Sequence, residues 1–146
     1  MEYFEVEKIV VLCTVKSFED LEIWKKAQEL GVLVYKLCET NPKIAKDFSF
    51  KDQIKRAALS ISNNIAEGFE YNNNNDFCRY LRIAKGSYGE VRNCLLFSNK
   101  VGYTVAEEIN ELIEFCRTLG KQIGNLIKYL REKKIASLKQ ETQVKK

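Results

Sequence analysis

Residues 105–130 read VAEEINELIEFCRTLGKQIGNLIKYL, and this stretch decides the fold. Its apolar residues recur at alternating steps of four and three, which is an unbroken heptad seam: Val105, Ile109, Leu112, Cys116, Leu119, Ile123, Leu126 and Leu130. This spacing places them on one side of an α-helix, where they can pack in a bundle core or against a second copy of the chain. Thr104 and Glu107 form a capping box that predicts the start of this helix.

The same periodicity upstream predicts three further helices. The first covers about residues 18–39, begins behind a capping box of Ser17 and Asp20, and ends at Asn41-Pro42. The second begins at a similar box of Ser49 and Asp52.

The second helix is predicted to end near Gly68, and the third to run from about Asp76 to Gly102. Between them lie four asparagines, residues 72–75. Because asparagine tolerates left-handed backbone and caps helices, we expect this run to form the turn.

Length and composition agree with an all-α chain. The 146 residues contain one proline and seven glycines, too few for the frequent turns of an all-β sandwich, and they suffice for a single core. Short connections between helices of similar length predict an antiparallel up-down-up-down four-helix bundle over residues 17–131. Residues 1–16 are predicted to form an arm that is a short strand or disordered, and residues 132–146 a basic, fraying tail.

Several function classes are excluded by what the sequence lacks. With no histidine, it cannot build a Ser-His-Asp triad or an imidazole zinc site. Its five cysteines are odd in number and widely spaced, so we predict buried thiols in a reducing cytoplasm and no metal or cofactor. The apolar run at 9–13 is too short to span a membrane, and acidic residues near the start do not fit a signal peptide.

A row of polar residues follows one side of the second helix, at steps of three and four: Gln53, Arg56, Ser60, Asn64 and Glu67. Ser87 and Glu90 offer a matching polar site on the third helix. A hydrogen-bonded structural network, with Arg56 paired to Glu90, is favoured over a ligand site because polar groups beside a core must satisfy one another. Under this interpretation, replacing Arg56 by alanine should lower the melting temperature or break the oligomer.

No nucleophile stands beside an available base, so we predict that the protein is not an enzyme and has no catalytic residues.

Basic residues are concentrated in the middle of the chain and at its end. Residues 43–100 hold ten basic and six acidic residues, and residues 128–146 hold seven and two. The candidate phosphate-binding residues are Lys51, Lys55, Arg79, Arg82, Lys85 and Arg92. For a monomer, an ordinary solvated helix face is the better explanation of this patch, whereas a ring of copies would multiply its charge.

Three segments carry a family likeness. FEDLEIWKKA (18–27), QIKRAALSISNNIAEG (53–68) and FCRYLRIAKGSYGE (77–90) closely resemble the four-helix-bundle proteins encoded by intervening sequences in bacterial 23S rRNA genes. The resemblance covers about residues 17–131. It departs from the family at Gly89, where a larger residue is usual, and does not include residues 1–16.

The resemblance implies a barrel-like homopentamer. It also implies kinship with the accessory protein of diversity-generating retroelements, which works with a reverse transcriptase and RNA. The first functional hypothesis is therefore a non-catalytic, oligomeric accessory protein that binds RNA or RNA–DNA hybrid. The competing hypothesis is a protein-interaction scaffold that docks on a polymerase or another enzyme without binding nucleic acid.

Overall fold

The computed structural model describes the backbone of residues 15–144 and the side chains of residues 15–133. A 3-10 turn, Phe18–Asp20, precedes five helices: α1 (Glu22–Thr40), α2 (Pro42–Lys46), α3 (Phe48–Glu70), α4 (Asn74–Lys100) and α5 (Ala106–Val144). Within this part of the chain all regular structure is helical, which confirms the predicted class. The predicted N-terminal arm lies almost entirely outside the described residues.

Four long helices share one apolar core. Fully buried side chains come from each of them, including Leu30 of α1, Ile61 of α3, Leu81 of α4 and Leu119 of α5. The heptad seam lies in this core, except that Val105 precedes α5 and is 56% exposed and that Leu126 is only partly buried. The seam was therefore a sound guide to the buried face of the last helix.

Helices α3 and α4 pack closely along their length. Phe69 meets Phe77 with ring centroids 5.9 Å apart, and Ser60 meets Ser87 with hydroxyl oxygens 2.9 Å apart. At Gly68 a methyl group would come within 2.5 Å of Tyr80 Cβ. Because real Cβ atoms do not approach so closely, glycine is required where these two backbones meet.

The asparagine turn between α3 and α4 is confirmed. Asn72 has a φ of 54° and is the one residue other than glycine with a positive φ in the described part of the chain. The Asn73 side chain then accepts a hydrogen bond from the Asp76 backbone N–H at 2.9 Å, which caps α4. The helix begins two residues before the predicted start at Asp76.

The predicted start of α3 at Ser49 is wrong, because Asp47 is the cap and its carboxylate accepts from the Phe50 N–H at 3.0 Å. That hydrogen bond, together with one donated by the Tyr103 hydroxyl, holds the pKa of Asp47 below its usual value.

The short helix α2 was not predicted. Asn41 caps it through its side-chain oxygen, so the Asn41-Pro42 pair that ends one helix also begins the next.

The first and last caps also differ in detail from prediction. The Ser17–Asp20 capping box exists, but it caps the 3-10 turn, and α1 begins after Leu21. The Thr104–Glu107 box is wrong: Thr104 is buried with its hydroxyl 2.8 Å from that of Ser98, and Glu108 accepts from the Val105 N–H instead.

The last helix is longer than the bundle prediction. It continues without a break to Val144, so the predicted boundary at residue 131 does not coincide with a helix end. Side chains beyond Lys133 lie outside the described residues, and the fraying of that tail stays a prediction. Over the described range, no helix combines the length and hydropathy that a bilayer span requires.

Four of the five cysteines confirm the prediction of buried thiols: Cys38, Cys78, Cys94 and Cys116. Burial raises the pKa of Cys116 to about 11, so this thiol stays protonated and unreactive at neutral pH. Cys13 lies outside the described residues. No group of three or more acidic or cysteine side chains in the described part of the chain is placed to hold a metal ion.

Candidate nucleic-acid interface

Part of the predicted polar row joins α3 to α4. The Asn64 side chain donates to the Ser60 carbonyl at 2.7 Å and to the Ser60 hydroxyl at 3.0 Å, and Ser60 in turn meets Ser87. At the far end, the Gln53 side chain donates to Glu90. These contacts connect polar groups at two levels along the helix pair, which is what a register-fixing network requires.

Two members of the row have other partners than expected. Arg56 lies 3.4 Å from Asp52 on its own helix and does not pair with Glu90. Gln53, which lies about one helical turn before Arg56 on α3, donates to Glu90 instead. Glu67 accepts a hydrogen bond at 3.0 Å from the hydroxyl of Tyr80, a residue that the predicted network did not include.

The position of Arg56 reverses the expected effect of its removal. Its side chain is 78% exposed and its single ion pair is intrahelical, so Arg56→Ala should change the free energy of unfolding by no more than about 0.5 kcal/mol. Urea denaturation measures this. A loss several times larger would place Arg56 in a network that the structure does not contain. Asp52→Ala is the matched control, since it removes the same pair.

A basic groove lies between α4 and α5. It encloses about 620 Å³ and is lined by Arg82, Lys85, Gly86, Tyr88, Gly124, Ile127, Lys128, Arg131 and Glu132. Four of these nine residues are cationic and one is acidic. Lys128 lies 3.9 Å from Glu132, but no described carboxylate lies within 4.0 Å of the charged group of Arg82, Lys85 or Arg131. Three of the four cations therefore have no internal counter-charge among the residues whose side chains are described.

Glycines shape this basic groove. A methyl group at Gly86 would meet nothing within 4 Å, and one at Gly124 would meet only the Lys85 ammonium, at 3.6 Å. A methyl group on Gly120 would overlap the Tyr88 ring, so that ring lies directly over the α5 backbone. The result is a floor of bare helix backbone with flexible cationic side chains at its edges, which suits close approach of a phosphate chain.

The predicted cations do not form one patch. Arg82 and Lys85 lie in the basic groove, and Arg92 lies next to it with its guanidinium 6.0 Å from the Tyr88 ring centroid. Lys51 and Lys55 lie elsewhere, over the rings of Phe48 and Tyr35 at 4.7 and 4.4 Å.

Lys128 and Arg131 were not predicted as members of the site, since the sequence pattern placed them only in the basic C-terminal segment. The available signal was their i, i+3 spacing one turn after Gly124, beside the heptad seam.

An apolar groove lies on another side of the bundle, between α1 and α3. It encloses about 480 Å³, and its lining includes Gly31, Val32, Tyr35, Ala58 and Leu59. Val32 is 66% exposed and Leu59 is 47% exposed. Exposed apolar residues arranged along a groove are typical of a protein contact surface.

Comparison with known proteins agrees with the fold. A crystal structure of a protein of unknown function from the S23 ribosomal protein family of Bacteroides thetaiotaomicron VPI-5482 superposes with a TM-score of 0.68. The two chains are 24% identical, and the superposition covers 73% of this chain and 98% of the other, so the likeness establishes the fold alone. No curated protein matches the chain. The model of the family described as 23S rRNA-intervening sequence protein matches residues 19–125, and this chain therefore belongs to that family.

Proposed function

We propose that this protein is a non-catalytic, homo-oligomeric accessory protein of the cytoplasm that binds RNA or RNA–DNA hybrid through the basic groove. The observation that carries the proposal is the set of cations without internal counter-charge: Arg82, Lys85 and Arg131. Unpaired cations along a groove attract phosphate and release its condensed counterions. The described lining of the groove contains no Asn, Gln, Ser or Thr side chain, so binding should depend on the backbone more than on sequence.

The proposal includes an up-down-up-down arrangement of the four long helices and assembly into a pentameric ring. Contacts such as Phe69 with Phe77 and Gln53 with Glu90 support an antiparallel α3–α4 pair. The apolar groove between α1 and α3 is the surface best suited to a contact between copies. Repetition matters because one groove with four cations binds weakly, whereas several grooves on one particle bind one strand with avidity.

A reverse transcriptase is the proposed enzyme partner. The support is the sequence resemblance described above, which implies kinship with the accessory protein of diversity-generating retroelements. An accessory protein of this kind needs no nucleophile or metal of its own, and it would present the template to the enzyme. Glu67 and Glu90 of the polar row accept hydrogen bonds from Tyr80 and Gln53, and neither lines the basic groove.

Salt dependence tests the proposed function. Fluorescence anisotropy with a labelled structured RNA should show an affinity that falls steeply between about 50 and 200 mM salt, by roughly 10³-fold if six phosphates are contacted by the assembly. A DNA duplex of equal length measures how far the binding depends on the type of nucleic acid. A flat salt response, or no binding of the oligomer at low salt, would falsify the proposal.

One surface favours the second candidate function, a scaffold that docks on another enzyme. Phe48 is 76% exposed, Phe97 is 54% exposed and Val101 is 44% exposed, at the beginning of α3 and the end of α4. Three exposed apolar side chains on one end of the bundle are typical of a surface that binds a protein partner. An affinity-captured protein that remains bound after nuclease treatment, and is lost in a Phe48→Ser, Phe97→Ser variant, supports this candidate.

A further inference from the structure

Two tyrosines stack at the end of the bundle where α3 turns into α4. The ring centroids of Tyr71 and Tyr80 lie 5.2 Å apart with an interplanar angle of 18°. Tyr71 is the C-cap residue of α3, and Tyr80 lies on the second turn of α4. The Asn72 turn with its positive φ brings the two together.

The pair is held in a fixed geometry. The Tyr80 hydroxyl donates to Glu67 Oε1 at 3.0 Å, and the two tyrosine hydroxyl oxygens lie 3.3 Å apart. Hydrogen bonding with Tyr71 and with Glu67 raises the pKa of Tyr80, so the phenol stays neutral. On the other side, Tyr80 Cβ packs against the Gly68 backbone. A surface fixed in advance loses little conformational entropy when a ligand binds.

The outer ring of the pair is open to solvent. Tyr71 is 52% exposed although Tyr80 stacks on its ring, and no second ring or cation among the described residues contacts that ring. A flat aromatic face next to a second parallel ring extends naturally to a third stacked ring.

Arg79 connects the tyrosine pair to the basic groove. Its guanidinium lies 6.0 Å from the Tyr80 ring centroid. On an α-helix, neighbouring residues point about 100° apart, and residues three apart point about 60° apart in the opposite sense. Arg79 is therefore directed between Tyr80 on one side and the groove residue Arg82 on the other. Cations therefore follow the surface of α4 from the groove to the tyrosines.

We propose that Tyr71 and Tyr80 form a stacking platform for an unpaired base of a single strand whose phosphates lie in the basic groove. This inference rests on the proposed function and makes it more specific. Base–aromatic stacking needs a free base face, which a strand offers and the interior of a duplex does not. The protein then prefers single-stranded to double-stranded nucleic acid, and the preference comes from the platform.

The test compares Tyr71 variants on two probes. A labelled oligo(A) of about 12 nucleotides, carrying one 2-aminopurine, is titrated beside a duplex of the same length, using the full-length protein. Tyr71→Ala should weaken single-strand binding roughly 5- to 100-fold, leave duplex binding and the salt slope unchanged, and abolish quenching of 2-aminopurine. Tyr71→Phe keeps the ring and should keep the affinity. Phe48→Leu removes an even more exposed aromatic ring at the other end of α3 and should have no effect.

The outcomes separate this inference from the proposed function. If the wild-type protein binds nucleic acid but Tyr71→Ala binds the single strand unchanged, the platform is refuted and the groove stands. Equal losses on both probes also refute it, because they indicate a general change in the surface. If neither probe binds the wild-type protein at low salt, the proposed function fails and the platform fails with it.

Discussion

Gly68→Ala should lower the free energy of unfolding by about 2 kcal/mol, equivalent to a fall in melting temperature of roughly 5–10 °C. The added methyl group would lie 2.5 Å from Tyr80 Cβ, an atom that is fixed to the α4 backbone. Rotating a side chain cannot relieve this contact, so α3 and α4 must separate. The separation would also loosen the Phe69–Phe77 contact nearby. Alanine's higher helix propensity offsets only about 1 kcal/mol of the cost.

Gly89→Ala is the matched control, because it makes the same chemical change inside α4, outside both grooves, where a methyl group meets nothing within 4 Å. It should stabilise the protein by about 0.5–1 kcal/mol. The two variants are compared by thermal and urea denaturation followed by circular dichroism. Stabilisation by both substitutions would contradict the close approach of α3 and α4.

A second comparison identifies which atoms cause each penalty. The Gly68→Ala penalty should persist in a Tyr80→Ala background, because alanine retains the offending Cβ. Gly120→Ala should also destabilise the protein, but there the overlap is with the far end of the Tyr88 ring. Tyr88→Leu removes those ring atoms and should relieve most of that penalty, which a double-mutant cycle measures as a coupling energy.

Reversing two charges in the basic groove should reduce nucleic-acid affinity by on the order of 100-fold at low salt. The variant Lys85→Glu, Lys128→Glu places one acidic group on each wall, α4 and α5. Each lost phosphate contact should also lower the slope of log affinity against log salt by about 1. In the proposed oligomer every copy carries the change, so the loss of avidity enlarges the effect.

The control variant Lys25→Glu, Lys100→Glu changes the net charge equally but at residues outside the basic groove. It should bind nearly as well as the wild-type protein. Equal weakening by both double variants would show that binding follows net charge and not the groove. Gly86→Leu gives an independent measurement, since it fills the open floor without changing any charge and should also weaken binding.

The apolar spacing of the sequence predicted the core well because burial imposes that spacing directly. The seam residues from Ile109 to Ile123 are buried as expected, and the asparagine run forms the turn. Errors lie at helix ends, where one side chain has several possible partners. Thr104 could cap a helix or bond to Ser98, and the tight loop brings Ser98 within 2.8 Å. The periodicity of a single helix does not contain that information.

The basic groove was only half predictable for a related reason. Arg82 and Lys85 share a helix face by spacing alone, but their meeting with Lys128 and Arg131 depends on the register between α4 and α5. That register is set where Tyr88 lies over Gly120, a contact between residues 32 positions apart. The wrong prediction that Arg56 pairs with Glu90 has the same cause. The register between α3 and α4 differs by about one helical turn from the expected register, so Gln53 contacts Glu90.

The length of α5 affects how the mass of the proposed assembly should be measured. Its 39 residues extend about 58 Å, against about 40 Å for the 27 residues of α4. A compact chain of this size has a radius of gyration of only about 15 Å. A helix that projects so far increases hydrodynamic friction more than it increases mass. Gel filtration against globular standards should therefore overestimate the number of copies, whereas light scattering measures mass independently of friction.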